Sequence, residues 1–263
     1  MSDMNVTIIG AGAFGVALGK ILTDNEHVVV YFDLKDSLSL EEATREAEVI
    51  VIAIPAAAVA EFASSLPVEL RQLPVILAAK GVLLLDDFAD YARFSVLSGP
   101  AFAVDIMEGL PVTFTVTDEL ARQLFENECV AVEVTDDALG VELCGSLKNV
   151  YAIGAGALVG EPSEVSAYLE DALAEMKLYL VAHGARAETA DLACGIGDLT
   201  MTATDEKSRN LRFGRALAAG RAADEILAEL GTVEGVGTLG RIDRKDCPIM
   251  SRVYELVYGD KAE

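Results

Sequence analysis

A chain of 263 residues with 52% apolar content is long enough for one large domain or two modest ones, each with a sizeable core. Acidic residues outnumber basic ones 43 to 20, and the net charge of -23 sets up a field that repels nucleic acid and anionic membrane surfaces. Any site for a small anion must therefore be locally cationic, since screening confines the repulsion to about 8 Å at physiological salt. The acid excess reads either as an ordinary solvated surface or as adaptation to a salty cytoplasm.

No basic segment precedes the first apolar run, and residues 49–60, the longest apolar stretch, are broken by Pro55 and too short to cross a bilayer. A soluble, cytoplasmic chain without membrane insertion is expected. Val6–Ile9 predicts a short strand and Ala13–Leu22 a helix. Between them runs Gly10-Ala11-Gly12-Ala13-Phe14-Gly15, a GxGxxG turn in the strand-to-helix frame that a dinucleotide requires. Gly10 permits the tight turn, Gly12 lets backbone N–H groups approach a pyrophosphate, and Gly15 lets helix pack on strand. His27–Phe32 predicts a second strand, closed by Asp33, an acidic residue placed to accept from ribose hydroxyls and to favour NAD over NADP. Asp33 and Asp36 could equally solvate a turn, and Lys35 could attract a 2′-phosphate. Ser39–Ala47 reads as a helix with an N-cap-like serine. Val49–Ile54 and Val75–Ala79 are continuous apolar runs, expected as strands buried on both faces. Further strands are predicted at Phe94–Leu97, Val112–Val116 and Val130–Val134. This alternation argues for an α/β fold, an N-terminal doubly wound (Rossmann) nucleotide-binding domain with a parallel sheet over residues 1–135.

After Thr135 the texture changes to helical patterns at 137–158, 164–183, 206–218, 222–230 and 248–257, with no convincing strand. Residues 136–263 are therefore expected to form an all-α substrate domain, packed against the first with a cleft between them. Gly and Ala at 152–157 imply close backbone approach, to another helix or to a ligand. The four cysteines, at 129, 144, 194 and 247, show neither CxxC pairing nor metal-like spacing, so they read as small core residues and no metal is expected.

Carbonyl reduction needs a proton donor. His27 opens a strand and His183 precedes a glycine, so both read as structural, and a lysine is the better base. Of the lysines, Lys80 ends an apolar strand and Lys148 lies in apolar and glycine-rich helical sequence, unusual places for an ammonium. Lys148-Asn149, Asp198 and Arg209-Asn210 together offer proton transfer, orientation and an oxyanion clamp. Singly, each has a plainer reading: Ser208 or Asp198 could cap a helix, and Lys148 could extend from a helix face to solvent.

Taken in order and frame, GAGAFG, AAKGV at 78–82, SGPAFA at 98–103, ELCGSLKNVYAIGAG at 142–156, GDLTMTATDEKSRNLRFG at 197–214, VEGV at 233–236 and CPIMSRVYELVYG near the end resemble the NAD(P)-dependent glycerol-3-phosphate dehydrogenases. The resemblance spans nearly the whole chain. It implies interconversion of sn-glycerol 3-phosphate and dihydroxyacetone phosphate with NAD or NADP, a small phosphorylated substrate, and a supply of glycerol 3-phosphate for phospholipids. Lys148, Lys80 and Asp198 fall at its catalytic positions, Lys148 as proton acceptor and Lys80 touching both substrate and cofactor. Asn149, Asp198 and Thr202 fall around the substrate hydroxyls, Gly99 and Ala101 at substrate contacts, and Ser208, Arg209 and Asn210 in the phosphate-binding segment. The glycine turn with Ala13, together with Phe14, Asp33, Ala103, Arg209, Thr232 and Glu234, fall at cofactor positions. The chain is short for this family: LKDSLSLEE replaces a longer connection, and Ala101 stands where Ser or Thr is common. Two alternatives stay open here, a dehydrogenase of another small phosphorylated or carboxylated hydroxy compound and a catalytically silent NAD-binding module. A homodimer also stays open.

Overall fold

The computed structural model describes residues 3–35, 38–81, 85–158 and 160–259. The chain divides into two compact units, Met1–Glu142 and Leu143–Glu263.

The first unit is built on seven strands: β1 (Asn5–Ile9), β2 (Val28–Phe32), β3 (Val49–Ile52), β4 (Pro74–Leu77), β5 (Arg93–Ser98), β6 (Val112–Val116) and β7 (Val130–Val134). Between them lie helices α1 (Ala13–Asp24), α2 (Leu40–Thr44), α3 (Ala56–Ser65), α4 (Ala103–Met107) and α5 (Glu119–Phe125). The strands form one sheet in the order β2-β1-β3-β4-β5-β6-β7. All of β3 is buried, as its unbroken VIVI run requires of a strand covered on both faces. Period-two alternation sends Val49 and Val51 to one apolar cluster, with Val6, Ile8 and Leu18, and Ile50 and Ile52 to another, with Val59 and Leu77. Pro55, which breaks the long apolar run, stands at the N-cap of α3 and so separates strand from helix. Ser39 and Glu42 form a reciprocal capping box at the start of α2.

The sheet differs from a wholly parallel one at a single junction. β1 to β5 run parallel, but β6 meets β5 antiparallel through Leu97–Val116 and Ser98–Thr115, and β7 follows β6 in parallel. The cause is local: α4 spans only five residues, and Gly109, at φ +72°, turns the chain straight back. The cysteine reading also needs correction. Cys144, Cys194 and Cys247 are buried, but Cys129 is exposed, in the turn that leads into β7.

The second unit is helical: α6 (Ala138–Leu158), which starts in the first unit, α7 (Val165–Ala182), α8 (Asp198–Thr204), α9 (Arg209–Ala218), α10 (Ala223–Leu230), α11 (Glu234–Leu239) and α12 (Pro248–Tyr258). Glu175 of α7 accepts from the Ile249 and Met250 N–H groups at 2.7 and 3.0 Å, satisfying the first turn of α12, where Cys247 supplies no side-chain cap. Both histidines make local contacts within their own units. His27 Nδ1 accepts from Met4 N–H, and His183 ends α7, stacked on Tyr179. Among the described residues no helix is long and apolar enough to cross a membrane.

Candidate active site

In the first unit, the glycine turn sits where strand order reverses, β1 having β2 on one side and β3 on the other. Gly10 adopts φ +106°, and a side chain there would strike Ala53 O at 2.7 Å. Gly15 packs tighter still, its would-be Cβ lying 2.0 Å from Gly10 O. Gly12, by contrast, faces open space: nothing lies within 4 Å of a Cβ built there. It is the N-cap of α1, with Gly12 and Ala13 exposed, so uncommitted backbone N–H groups front that space. Asp33 closes the arrangement, accepting from Ala11 N–H at 3.2 Å and Lys35 N–H at 3.1 Å. Those backbone bonds, Lys35 first and Ala11 second, hold its carboxyl below the ordinary carboxylate value. Asp36 lies outside the described residues. Phe14 of α1 and Ala103 of α4 pack against the same apolar cluster. Lys80, half-buried just past β4, directs Nζ toward Gly99 O at 3.5 Å, and Ala101 is buried two residues on. Gly99 itself sits at φ +152°, and a Cβ on it would meet Thr113 O at 2.3 Å.

In the second unit, α6 and α9 touch backbone to backbone. A Cβ on Gly156 would lie 2.3 Å from Leu211 O, and one on Gly214 would lie 2.0 Å from Ile153 O. The small residues at 152–157 therefore serve helix approach, and that approach brings the first turn of α9 against Asn149 of α6, the residue after the lysine. Lys148 is only 5% exposed. Its Nζ donates to Asp198 Oδ1 and to Thr202 Oγ1, both at 2.8 Å, and Thr202 Oγ1 donates in turn to Asp198 Oδ1 at 3.1 Å. Asp198 and Thr202 share a face of α8 because they stand four residues apart. A π turn at Ala193–Gly197 leads directly into that helix, an irregularity common beside functional sites.

Asn149, next to the lysine, is buried and bonded to two segments of the resemblance. Asn210 Nδ2 donates to Asn149 Oδ1, and Asn149 Nδ2 donates to Glu234 Oε2, each at 2.9 Å. The structure thus brings these residues into two networks, Lys148 with Asp198 and Thr202, and Asn149 with Asn210 and Glu234, rooted on adjacent residues of α6. Arg209, exposed at the start of α9, makes no ion pair among the described residues. Its Nη1 lies beside the loop of Gly231 and Thr232, 3.9 Å from a Cβ built on Gly231.

Two plainer readings fail here and one holds. Lys148 does not reach for solvent, and Asp198 spends its carboxylate on the lysine rather than on capping α8. Ser208 does cap α9, accepting from Leu211 N–H at 3.2 Å. Sequence reasoning missed Gly235, whose N–H fixes Asn210 Oδ1 at 2.9 Å. The VEGV segment contained it, but without a side chain it gave no sign of a role.

Comparison with known proteins agrees in sequence and in fold. The sequence models for the N-terminus and C-terminus of NAD-dependent glycerol-3-phosphate dehydrogenase match residues 32–123 and 137–263. The glycerol-3-phosphate dehydrogenase [NAD(P)+] of a Nitratiruptor species is 34% identical over 285 residues, covering 97% of this chain and 94% of its own. That of Acaryochloris marina is 34% identical over 288 residues, covering 98% and 92%. The crystal structure of glycerol-3-phosphate dehydrogenase from Coxiella burnetii shares the fold at a TM-score of 0.87, with 24% identity, 98% of this chain covered and 95% of that one. With both halves matched and such relatives aligned almost end to end, the chain belongs to the NAD-dependent glycerol-3-phosphate dehydrogenase family.

Proposed function

We propose that this protein is a cytoplasmic oxidoreductase interconverting dihydroxyacetone phosphate and sn-glycerol 3-phosphate with NAD(H) or NADP(H), and that it supplies glycerol 3-phosphate for phospholipid backbones. The observation that carries the proposal is the buried Lys148 Nζ, held by Asp198 and Thr202 one residue from the asparagine that bonds the α9 phosphate segment. The relatives named above bear this activity in their names.

The residues of the first unit fit a dinucleotide. The open space at Gly12, the N-terminus of α1 and the carboxylate of Asp33 suit pyrophosphate and ribose in turn. When bound, the nicotinamide group supplies or takes the hydride at the substrate's central carbon. In the reducing direction Lys148 donates a proton from Nζ to the C2 oxygen, and in the oxidising direction Nζ takes it back. Asp198 neutralises the buried ammonium and, with Thr202, fixes where Nζ points. Arg209 offers a planar fork to phosphate oxygens beside the first N–H groups of α9, a locally cationic patch on a chain of net charge -23. Lys80 is a second cation, which the family resemblance assigns to both substrate and cofactor. Asp33 favours NADH, because a 2′-phosphate would meet its carboxylate.

The test is oxidation of NADH and NADPH with dihydroxyacetone phosphate, beside a panel of small phosphorylated and carboxylated ketones. Turnover selective for dihydroxyacetone phosphate is expected. A faster reaction with another ketone would reassign the substrate, and cofactor binding without turnover on any of them would remove the activity.

A further inference from the structure

The second unit also holds a chain of amides whose orientation is set from its two ends. At one end the Gly235 N–H can only donate, and Asn210 Oδ1 receives it at 2.9 Å. That turns Asn210 Nδ2 onto Asn149 Oδ1. At the other end the Glu234 carboxylate accepts from Asn149 Nδ2, whose second proton faces Gly145 O at 3.4 Å. Asn149 is 2% exposed and has both amide protons committed, so it retains no donor for a ligand. Asn210, in the first turn of α9 beside Arg209, has only one of its Nδ2 protons engaged by these bonds. The backbones agree with this division: a Cβ on Gly235 would lie 2.6 Å from Asn149 O, so α11 begins directly on α6 at this residue.

We infer that Asn149 is a positioning residue, holding no substrate atom itself, which ties the phosphate-binding Asn210 to the cofactor-side segment Glu234–Gly235. The inference rests on the dehydrogenase reading above and departs from the substrate contact that the resemblance implies for this position. Its consequence is reciprocal coupling. Loosening Glu234 loosens the grip on the substrate phosphate, and loosening Asn149 weakens the cofactor.

The test compares Asn149→Ala, Glu234→Ala, the double variant and Glu234→Gln. For each, the KM for dihydroxyacetone phosphate, kcat, and NADH affinity by titration of NADH fluorescence are measured. Each alanine variant is expected to raise the KM about tenfold, as for loss of one hydrogen bond to a charged group. Asn149→Ala also weakens NADH binding, and the double variant is no worse than the poorer single. Glu234→Gln, whose amide oxygen still accepts from Asn149, recovers most of the KM lost in Glu234→Ala. An unchanged KM in Glu234→Ala, or fold-changes that multiply in the double variant, would overturn the inference. Should Asn149→Ala fail to fold, the two Glu234 variants decide alone, because Glu234 is exposed and its truncation opens no core. If the unaltered protein turned over no triose phosphate, the dehydrogenase reading would fall separately. NADH binding in Asn149→Ala would then decide: weaker binding supports the link, and unchanged binding overturns it.

Discussion

Replacing Asp198 with alanine isolates the most consequential contact in the second unit. The carboxylate is fully buried and lies 2.8 Å from Lys148 Nζ, whose side chain is 7% exposed. Without it the buried ammonium still has Thr202 Oγ1, a neutral acceptor, but loses the carboxylate that balances its charge. Breaking one side of such a pair costs about 3–5 kcal/mol, chiefly the penalty of an uncompensated buried charge. At roughly 2–4 °C per kcal/mol for a protein of this size, the melting temperature should fall by about 6–20 °C. Asp198→Asn, which keeps an oxygen for Nζ, should fall less. Replacing both partners at once, Lys148→Met with Asp198→Leu, should melt closer to the unaltered protein than Asp198→Ala does. Thermal unfolding followed by far-ultraviolet circular dichroism measures all three. An Asp198→Ala protein melting within a degree or two of the parent, or a double variant as unstable as the two losses added, would refute the reasoning.

Three further expectations follow from particular contacts. Gly214→Ala puts a methyl 2.0 Å from Ile153 O and forces α9 off α6, costing about 1–3 kcal/mol and raising the KM for dihydroxyacetone phosphate; urea unfolding and steady-state kinetics check both. Burial raises the Glu175 carboxyl above its usual value of 4.5, against the Ile249 and Met250 bonds that lower it. A raised carboxyl stabilises the fold below its unfolded value and loses that contribution as pH rises through the folded one. Stability of the parent should therefore fall more steeply from about pH 4.5 upward than that of Glu175→Gln, and urea midpoints across that range giving parallel curves would contradict it. Asp33→Ala should weaken NADH binding and narrow the preference for NADH over NADPH, read by titrating each nucleotide; an unchanged ratio would show that the carboxylate faces neither ribose.

Much of this was legible in the sequence because it rests on period and on local chemistry. The VIVI run of β3, the strand-to-helix frame of the glycine turn and the serine before α2 are short-range signals, and each leads to the element it promised. Two features were not legible. The reversal of β6 depends on how far a five-residue helix and Gly109 carry the chain before it turns, and no apolar pattern encodes direction. Helices α8 and α11 carry threonines and glycines that weaken intrinsic helix preference, so their existence is a product of packing around Lys148 and Asn149. At the site, residue types and spacing singled out Lys148 and Asp198. Only the fold could show that they pair, or that Asn149 commits its amide protons internally while Ser208 caps its own helix.

The central claim is that the Lys148 amine moves the proton, and turnover of Lys148→Ala tests it most directly. With dihydroxyacetone phosphate and NADH both saturating, and folding verified by circular dichroism, kcat should drop by about 10²–10⁴. A variant that folds and turns over at close to the parental rate would contradict the account.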